Sequence, residues 1–240
     1  MEAEYARVYQ RLYREHWWWR AREELIVAVL QQTPLGANAT VLDVGCGGGW
    51  FFERLGQLGG RVEGVEADPA LVPQDASVRQ RIHVGPFDQS FQPGKRYSLI
   101  LMLDVLEHLE NALSSLQHAV ELLEPDGRLL VTVPAFPCLW TTHDDLNHHL
   151  TRYTKRSFAS LADAAAMRID RSRYFFHWLF ACKLALRVKE RWLKSRPAPP
   201  RIPPRLLNRF CYGLSRLEQM VCGPIPLPFG TSLLVLGGRR

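Results

Sequence analysis

The sequence predicts an α/β protein built on a doubly wound, mostly parallel β-sheet. Three observations carry that expectation. Short apolar strands alternate with helical stretches over most of the chain. The first strand, near 40–44, runs straight into the glycine-rich turn Gly45-Cys46-Gly47-Gly48-Gly49 and then into a helix at 51–55. The next strand, near 61–66, closes on Glu66 about twenty residues after that turn, the spacing at which a βαβ unit brings an acid to the rim of a nucleotide-type pocket.

The elements follow in order. Residues from about 4 to 32 keep a helical period rich in Tyr, Trp and Arg, which stops before Thr33-Pro34. In the turn after the first strand, glycine permits tight backbone geometry and close approach to a ligand, while the N–H groups opening the following helix point back at it. At the end of the second strand an ionised Glu66 accepts both hydroxyls of a ribose. Glu63 falls mid-strand and Asp68 lies past its end, so Glu66 is preferred. The stretch 68–80 carries Pro69 and Pro73 and makes a poor helix, which leaves the adenine side of the pocket more open. Strands near 81–84, 97–103 and 128–134 follow, then a helix at 155–165 and a sixth strand near 168–174.

The chain does not return directly to its final strand, near 231–237. It passes through an aromatic helix, a proline-rich bend at 197–204 and a second helix at 206–221. The expected organisation is an N-terminal helical segment over 1–35, a core over 36–176, a helical cap over 177–229 and a closing core strand over 230–240. Between Lys183 and Arg216 ten basic residues face one acid, Glu190, so the formal net charge of +6 is concentrated in the cap. Such a segment suits an anionic membrane surface or a lid over a hydrophobic substrate, and equally a helical hairpin with solvated charges.

The motifs resemble those of the class I S-adenosylmethionine-dependent methyltransferases, in particular a bacterial group that includes ubiquinone-pathway O-methyltransferases. Asp43, Gly45, Gly47 and Gly49 match the first motif, and Gly64-Val65-Glu66, Leu103 to Leu109 and Leu122 to Val131 follow in the family's order. The resemblance implies a Rossmann-like fold with a seven-stranded sheet. It implies S-adenosylmethionine as cofactor, held by Asp43, Gly45, Gly47, Gly49, Glu66 and Asp104, with Asp88 serving the adenine amino group. Arg20 or Arg22, beside Trp17-Trp18-Trp19, is expected to meet the methionine carboxylate through a two-pronged contact.

The sulfonium methyl is already activated, so the protein must align a nucleophile and, for a hydroxyl, accept its proton. Two clusters suit that task. Asp104, Glu107 and His108 follow the fourth strand; similar stretches hold a divalent metal in ubiquinone-pathway and small-RNA 2′-O-methyltransferases. Asp at the first position shortens the reach, and no metal ligand is assigned. The second cluster is the long loop after the fifth strand, where His143, Asp144, His149, Arg152 and Tyr153 match a pattern of the bacterial group. There His143 is the preferred base, Asp144 orients it and His149 ranks second; the same groups also suit capping of the next helix.

The five cysteines show neither metal-ligand spacing nor a disulfide framework, and the opening residues lack the pattern of a secretion signal, so a cytoplasmic protein, membrane-associated at most, is expected. No apolar run reaches the ~20 residues of a membrane span. Nucleic acid is disfavoured, since no RNA-binding module accompanies the basic cap. The function expected is methyl transfer to a small or lipid-like acceptor, at oxygen. A metal-assisted RNA 2′-O-methyltransferase and a cofactor-binding protein without turnover are the alternatives.

Overall fold

A computed structural model describes residues 3–33, 35–36, 38–193, 200–223 and 225–240. Seven strands form one sheet in the order β3-β2-β1-β4-β5-β7-β6. They are β1 (Thr40–Val44), β2 (Arg61–Glu66), β3 (Ile82–Val84), β4 (Tyr97–Leu103), β5 (Leu123–Pro134), β6 (Met167–Phe175) and β7 (Ser232–Arg239). Neighbours from β3 to β5 pair in parallel, whereas β7 runs antiparallel to both β5 and β6. The sheet is therefore the mostly parallel α/β arrangement expected.

Both faces of the sheet are covered, as a parallel sheet requires. Successive residues alternate between two cores with the two-residue period of a strand. Leu42, Ile100 and Val131 point to one side, where Leu116 of α5 (Ala112–Glu121) and Phe158 of α7 (Lys155–Ala164) pack. Val41, Leu99 and Leu130 point to the other, against Ile26 of α2 (Trp17–Gln31) and Phe52 of α3 (Phe52–Gly56). The strand order reverses between β1 and β4, so the loops leaving their carboxyl ends part around a crevice.

Several expectations shift in detail. The single N-terminal helix divides into α1 (Ala3–Glu15) and α2 at His16, whose Nδ1 accepts the Trp18 N–H at 3.1 Å and caps the second helix. Three successive tryptophans cannot share one helical face, and the break lets Trp17 pack edge-on against Phe176. β5 starts at Leu123 rather than near 128; Glu124 to Gly127 continue the strand through a register shift opposite Tyr97 and Leu99. The weak crossover after β2 yields the four-residue helix α4 (Ala76–Arg79).

The cap consists of α8 (Trp178–Leu193) and α9 (Arg205–Cys222). The bend expected at 197–204 lies partly outside the described residues. α9 is fastened to α2 by polar contacts: Asn208 Oδ1 accepts from the Trp17 N–H at 2.9 Å, and Gln219 Nε2 donates to the Ala21 carbonyl at 2.8 Å. No described helix is long and apolar enough to cross a membrane.

Candidate active site

The side of the crevice expected to hold the cofactor is made largely of backbone. Gly45 turns at φ +70°, and its N–H and that of Cys46 both reach the Val65 carbonyl, at 2.8 and 3.2 Å, which ties the glycine turn to β2. The tie requires a bare backbone at Gly64, where a Cβ would lie 2.3 Å from Cys46 Sγ. Glu66 then accepts the Gly47 N–H at 2.7 Å and the Asp68 N–H at 2.9 Å, and its burial raises its pKa. Trp50 lies along the turn, with Tyr9 and Tyr13 of α1 packed on it at ring separations of 6.0 and 5.3 Å. Asp43 is buried at the end of β1; burial pushes its pKa up to about 7, with Arg22 acting against the rise.

Asp104 sits where β4 leaves the sheet, in the left-handed region at φ +57°. Its carboxylate pairs with Arg22 of α2 and accepts from Thr132 Oγ1 at 3.2 Å. Arg22 is thus the N-terminal arginine that turns toward the crevice; Arg20 lies over the Tyr212 ring at 4.4 Å. The buried Arg22 Nε has no partner among the described residues, so this guanidinium retains a donor for a further anionic group. Asp88 stands apart from this assembly. It is exposed, and its Oδ1 is taken by Ser90 at 2.6 Å and by the Ser90 N–H at 2.8 Å.

The acceptor side is built from charged side chains. Asp144 lies in the short helix α6 (Thr142–Leu146), three residues after Thr141, with which it forms a capping box. Its carboxylate is fully buried and receives Arg152 in a two-pronged contact, Nε to Oδ1 at 2.8 Å and Nη2 to Oδ2 at 2.9 Å. His149 Nδ1 meets Oδ1 at 2.8 Å. Burial works against this charge, but the bonds from His149 and Arg152 outweigh it and hold the carboxyl well below its usual range.

Asp144 therefore orients His149 and not His143. Adjacent helical residues diverge by ~100°, so the aspartate that caps α6 cannot also face its neighbour His143. His143 lies against Asn147 instead, and burial beside Lys183 lowers its pKa to about 4. With Nδ1 engaged, His149 keeps Nε2 for accepting a proton or ligating.

Glu107 joins the two sides. It is buried, repelled by Asp104, and its carbonyl accepts the Leu150 N–H at 2.7 Å. The turn Leu106–His108 is a 3₁₀ helix, which carries Asp104 to Arg22 while Glu107 and His108 face the loop. Donor atoms of Glu107, His108 and His149 lie within 4.8 Å of one another, and the buried Glu107 Oε2 has no partner among the described residues. One carboxylate and two imidazoles, one braced by a carboxylate behind it, fit a divalent cation. The triad differs from the stretch singled out in the sequence: His149 completes it, and Asp104 is committed elsewhere.

Two further influences on this loop come from the cap and were not legible in the motifs. Glu190 of α8 accepts from the Thr142 N–H at 3.0 Å and from its hydroxyl at 2.9 Å, holding α6 in place. Lys183 reaches the Asp144–Arg152 pair, and burial followed by the Arg152 charge lowers its pKa to about 8. The only available signal was the isolation of Glu190 as the lone acid in a basic stretch.

The profile of the methyltransferase domain family matches residues 17–171. The chain belongs to that family: it is a class I methyltransferase, and S-adenosylmethionine is its cofactor. Among curated relatives it is 31% identical to the ubiquinone biosynthesis O-methyltransferase of Azorhizobium caulinodans over 98 residues, 38% of this chain and 39% of that one. The chain spans 39% to 54% of the length of the first curated relatives it matches. Its fold is similar to that of a TehB-like methyltransferase from Corynebacterium glutamicum, with TM-score 0.57 and 17% identity over 99% of this chain and 97% of that one. It is also similar to magnesium protoporphyrin IX methyltransferase from Synechocystis with bound SAH, with TM-score 0.55 and 16% identity over 91% and 82% of the two chains.

Proposed function

We propose that the protein transfers the methyl group of S-adenosylmethionine to a hydroxyl of a small or lipid-like acceptor, with His149 as general base. The observation that carries this reading is the buried chain Arg152–Asp144–His149 in the loop after β5, which leaves the His149 ring beside Glu107 and His108 of the turn after β4. The glycine turn and Glu66 hold the adenosyl part, and Arg22 and Asp104 lie at its methionine end. Asp144 fixes the tautomer of His149 and stabilises the imidazolium that forms as the hydroxyl proton leaves. Phe136, packed edge-on against Phe180 of the cap at 5.6 Å, supplies apolar wall for the acceptor and helps exclude water. The name borne by the curated relatives supports oxygen as the acceptor atom.

The convergence of Glu107, His108 and His149 supports a second reading, in which a divalent cation held by these three residues assists the transfer. Such a cation supplies Lewis-acid polarisation of the acceptor oxygen. Isotope-labelled methyl donor, incubated with the protein and with lipid, small-molecule and RNA fractions of the native cell, tests both readings. Label is expected in the lipid or small-molecule fraction and is expected to fall about 10²–10⁴-fold in His149→Ala. Label in RNA that vanishes with a chelator would favour the metal-assisted alternative; label unaffected by His149→Ala would overturn the base assignment.

A further inference from the structure

We propose that α9 is a membrane-docking helix that lies flat on an anionic lipid surface. The helix is amphipathic in reverse. Its polar residues Asn208, Ser215, Glu218 and Gln219 turn inward and bond to α2 or to Trp178 at the start of α8. Cys211 and Tyr212 pack on the core, but five further apolar residues turn outward: Leu206 is 84% exposed, Phe210 65% and Met220 74%, and Leu217 and Val221 are exposed beside them. At ~100° per residue these five side chains fall within an arc of about 100°, opposite the face that bonds to the protein. A helix in an ordinary globular cap places these two sets the other way round.

The occupant of this face is identified by charge. Arg205, Arg209 and Arg216 follow one border of the stripe, at about 60–100° from its centre by the same periodicity. The acid on this helix, Glu218, is withdrawn to accept the Trp178 N–H at 2.7 Å. The last turn of α8 carries Trp192, 81% exposed, an aromatic suited to the headgroup region. An apolar stripe with arginines along its edge matches acyl chains below and anionic phosphates beside them. The arrangement suits insertion in the plane of an interface, not a span across it.

This surface also deepens the proposed function and in that respect rests on it. α8 holds the acceptor loop through Glu190 and sets Phe180 edge-on against Phe136, so docking of the cap brings the acceptor side of the crevice close to the bilayer. A lipid-embedded acceptor can then reach the site without crossing water.

The test is co-sedimentation of the full chain with vesicles of phosphatidylcholine alone and of phosphatidylcholine mixed with phosphatidylglycerol, without cofactor. Binding to the mixed vesicles should be at least ~10-fold stronger and should weaken as added salt shortens the screening length. Arg205→Glu with Arg209→Glu should reduce it at least ~10-fold, and so should Phe210→Ser with Leu217→Ser. Both pairs are exposed, and unchanged circular dichroism and unchanged binding of S-adenosylhomocysteine would show that they fold. Equal, weak association with both vesicle types would overturn the proposal. So would concentration-dependent dimerisation that Phe210→Ser with Leu217→Ser abolishes, which would make the stripe a subunit interface. Loss of S-adenosylhomocysteine binding in the wild type would instead strike the catalytic reading and leave the docking result standing.

Discussion

The two sides of the crevice are made of different materials. Between β1 and β2 the contacts are backbone to carboxylate, with glycine turns set against a strand and one acid, Glu66, bonded to two amides. Beyond β4 and β5 they are side chain to side chain: Asp144 gathers Arg152, His149 and Thr141, and the cap adds Glu190 and Lys183. Under the proposed function the difference follows from what each side handles. An adenosyl group of fixed shape is met by fixed backbone, whereas a proton in transit needs groups that change charge.

The comparison can be broken most forcefully at Asp144. Replacing it by Ala leaves Arg152 buried without its partner, and a loss of about 3–5 kcal/mol is expected in urea unfolding, because an uncompensated buried charge remains. The pH dependence of the wild type has a definite sign here. A carboxyl held below its usual range stabilises the fold above its unfolded pKa of 3.8, and that contribution is lost as pH falls further. A loss under about 1 kcal/mol would mean that the network is ornamental to the fold, which contradicts its burial.

A smaller effect sharpens the contrast at Asp43 on the other side. Burial raises this carboxyl from 3.8 to about 7, so the folded state binds its proton more tightly than the unfolded state does. Asp43 therefore makes the wild type lose stability as pH rises between those two values. Asp43→Asn removes the contribution, and its thermal unfolding should gain on the wild type across that window by roughly 4 kcal/mol at most. Parallel curves for the two proteins would contradict the assignment.

The backbone side was the more legible in the sequence, and the reason is physical. Gly45, Gly47, Gly49 and Glu66 act through local geometry that a strand–turn–helix spacing dictates, so their places follow from their intervals along the chain. Asp104 was legible by its position at a strand end, yet its partner Arg22 is 82 residues away and was only one of two candidates. On the acceptor side, sequence adjacency misled. Asp144 beside His143 reads as an orienting pair, but helical geometry sends the carboxylate to His149, five residues on. Asp88 reads as an adenine acid and forms a local turn with Ser90. The cap contact of Glu190 left only its isolation in a basic stretch as a trace, because it joins residues about fifty positions apart through a packing angle that no local pattern encodes.

The account rests most directly on the separation of cofactor grip from proton handling. The measurement is calorimetric titration of S-adenosylhomocysteine into the wild type, Glu66→Ala and His149→Ala. The wild type should release heat on binding, Glu66→Ala should bind at least ~10-fold more weakly through loss of its charged hydrogen bonds, and His149→Ala should bind within about two-fold of the wild type. No heat from the wild type, or equal losses in the two variants, would contradict it.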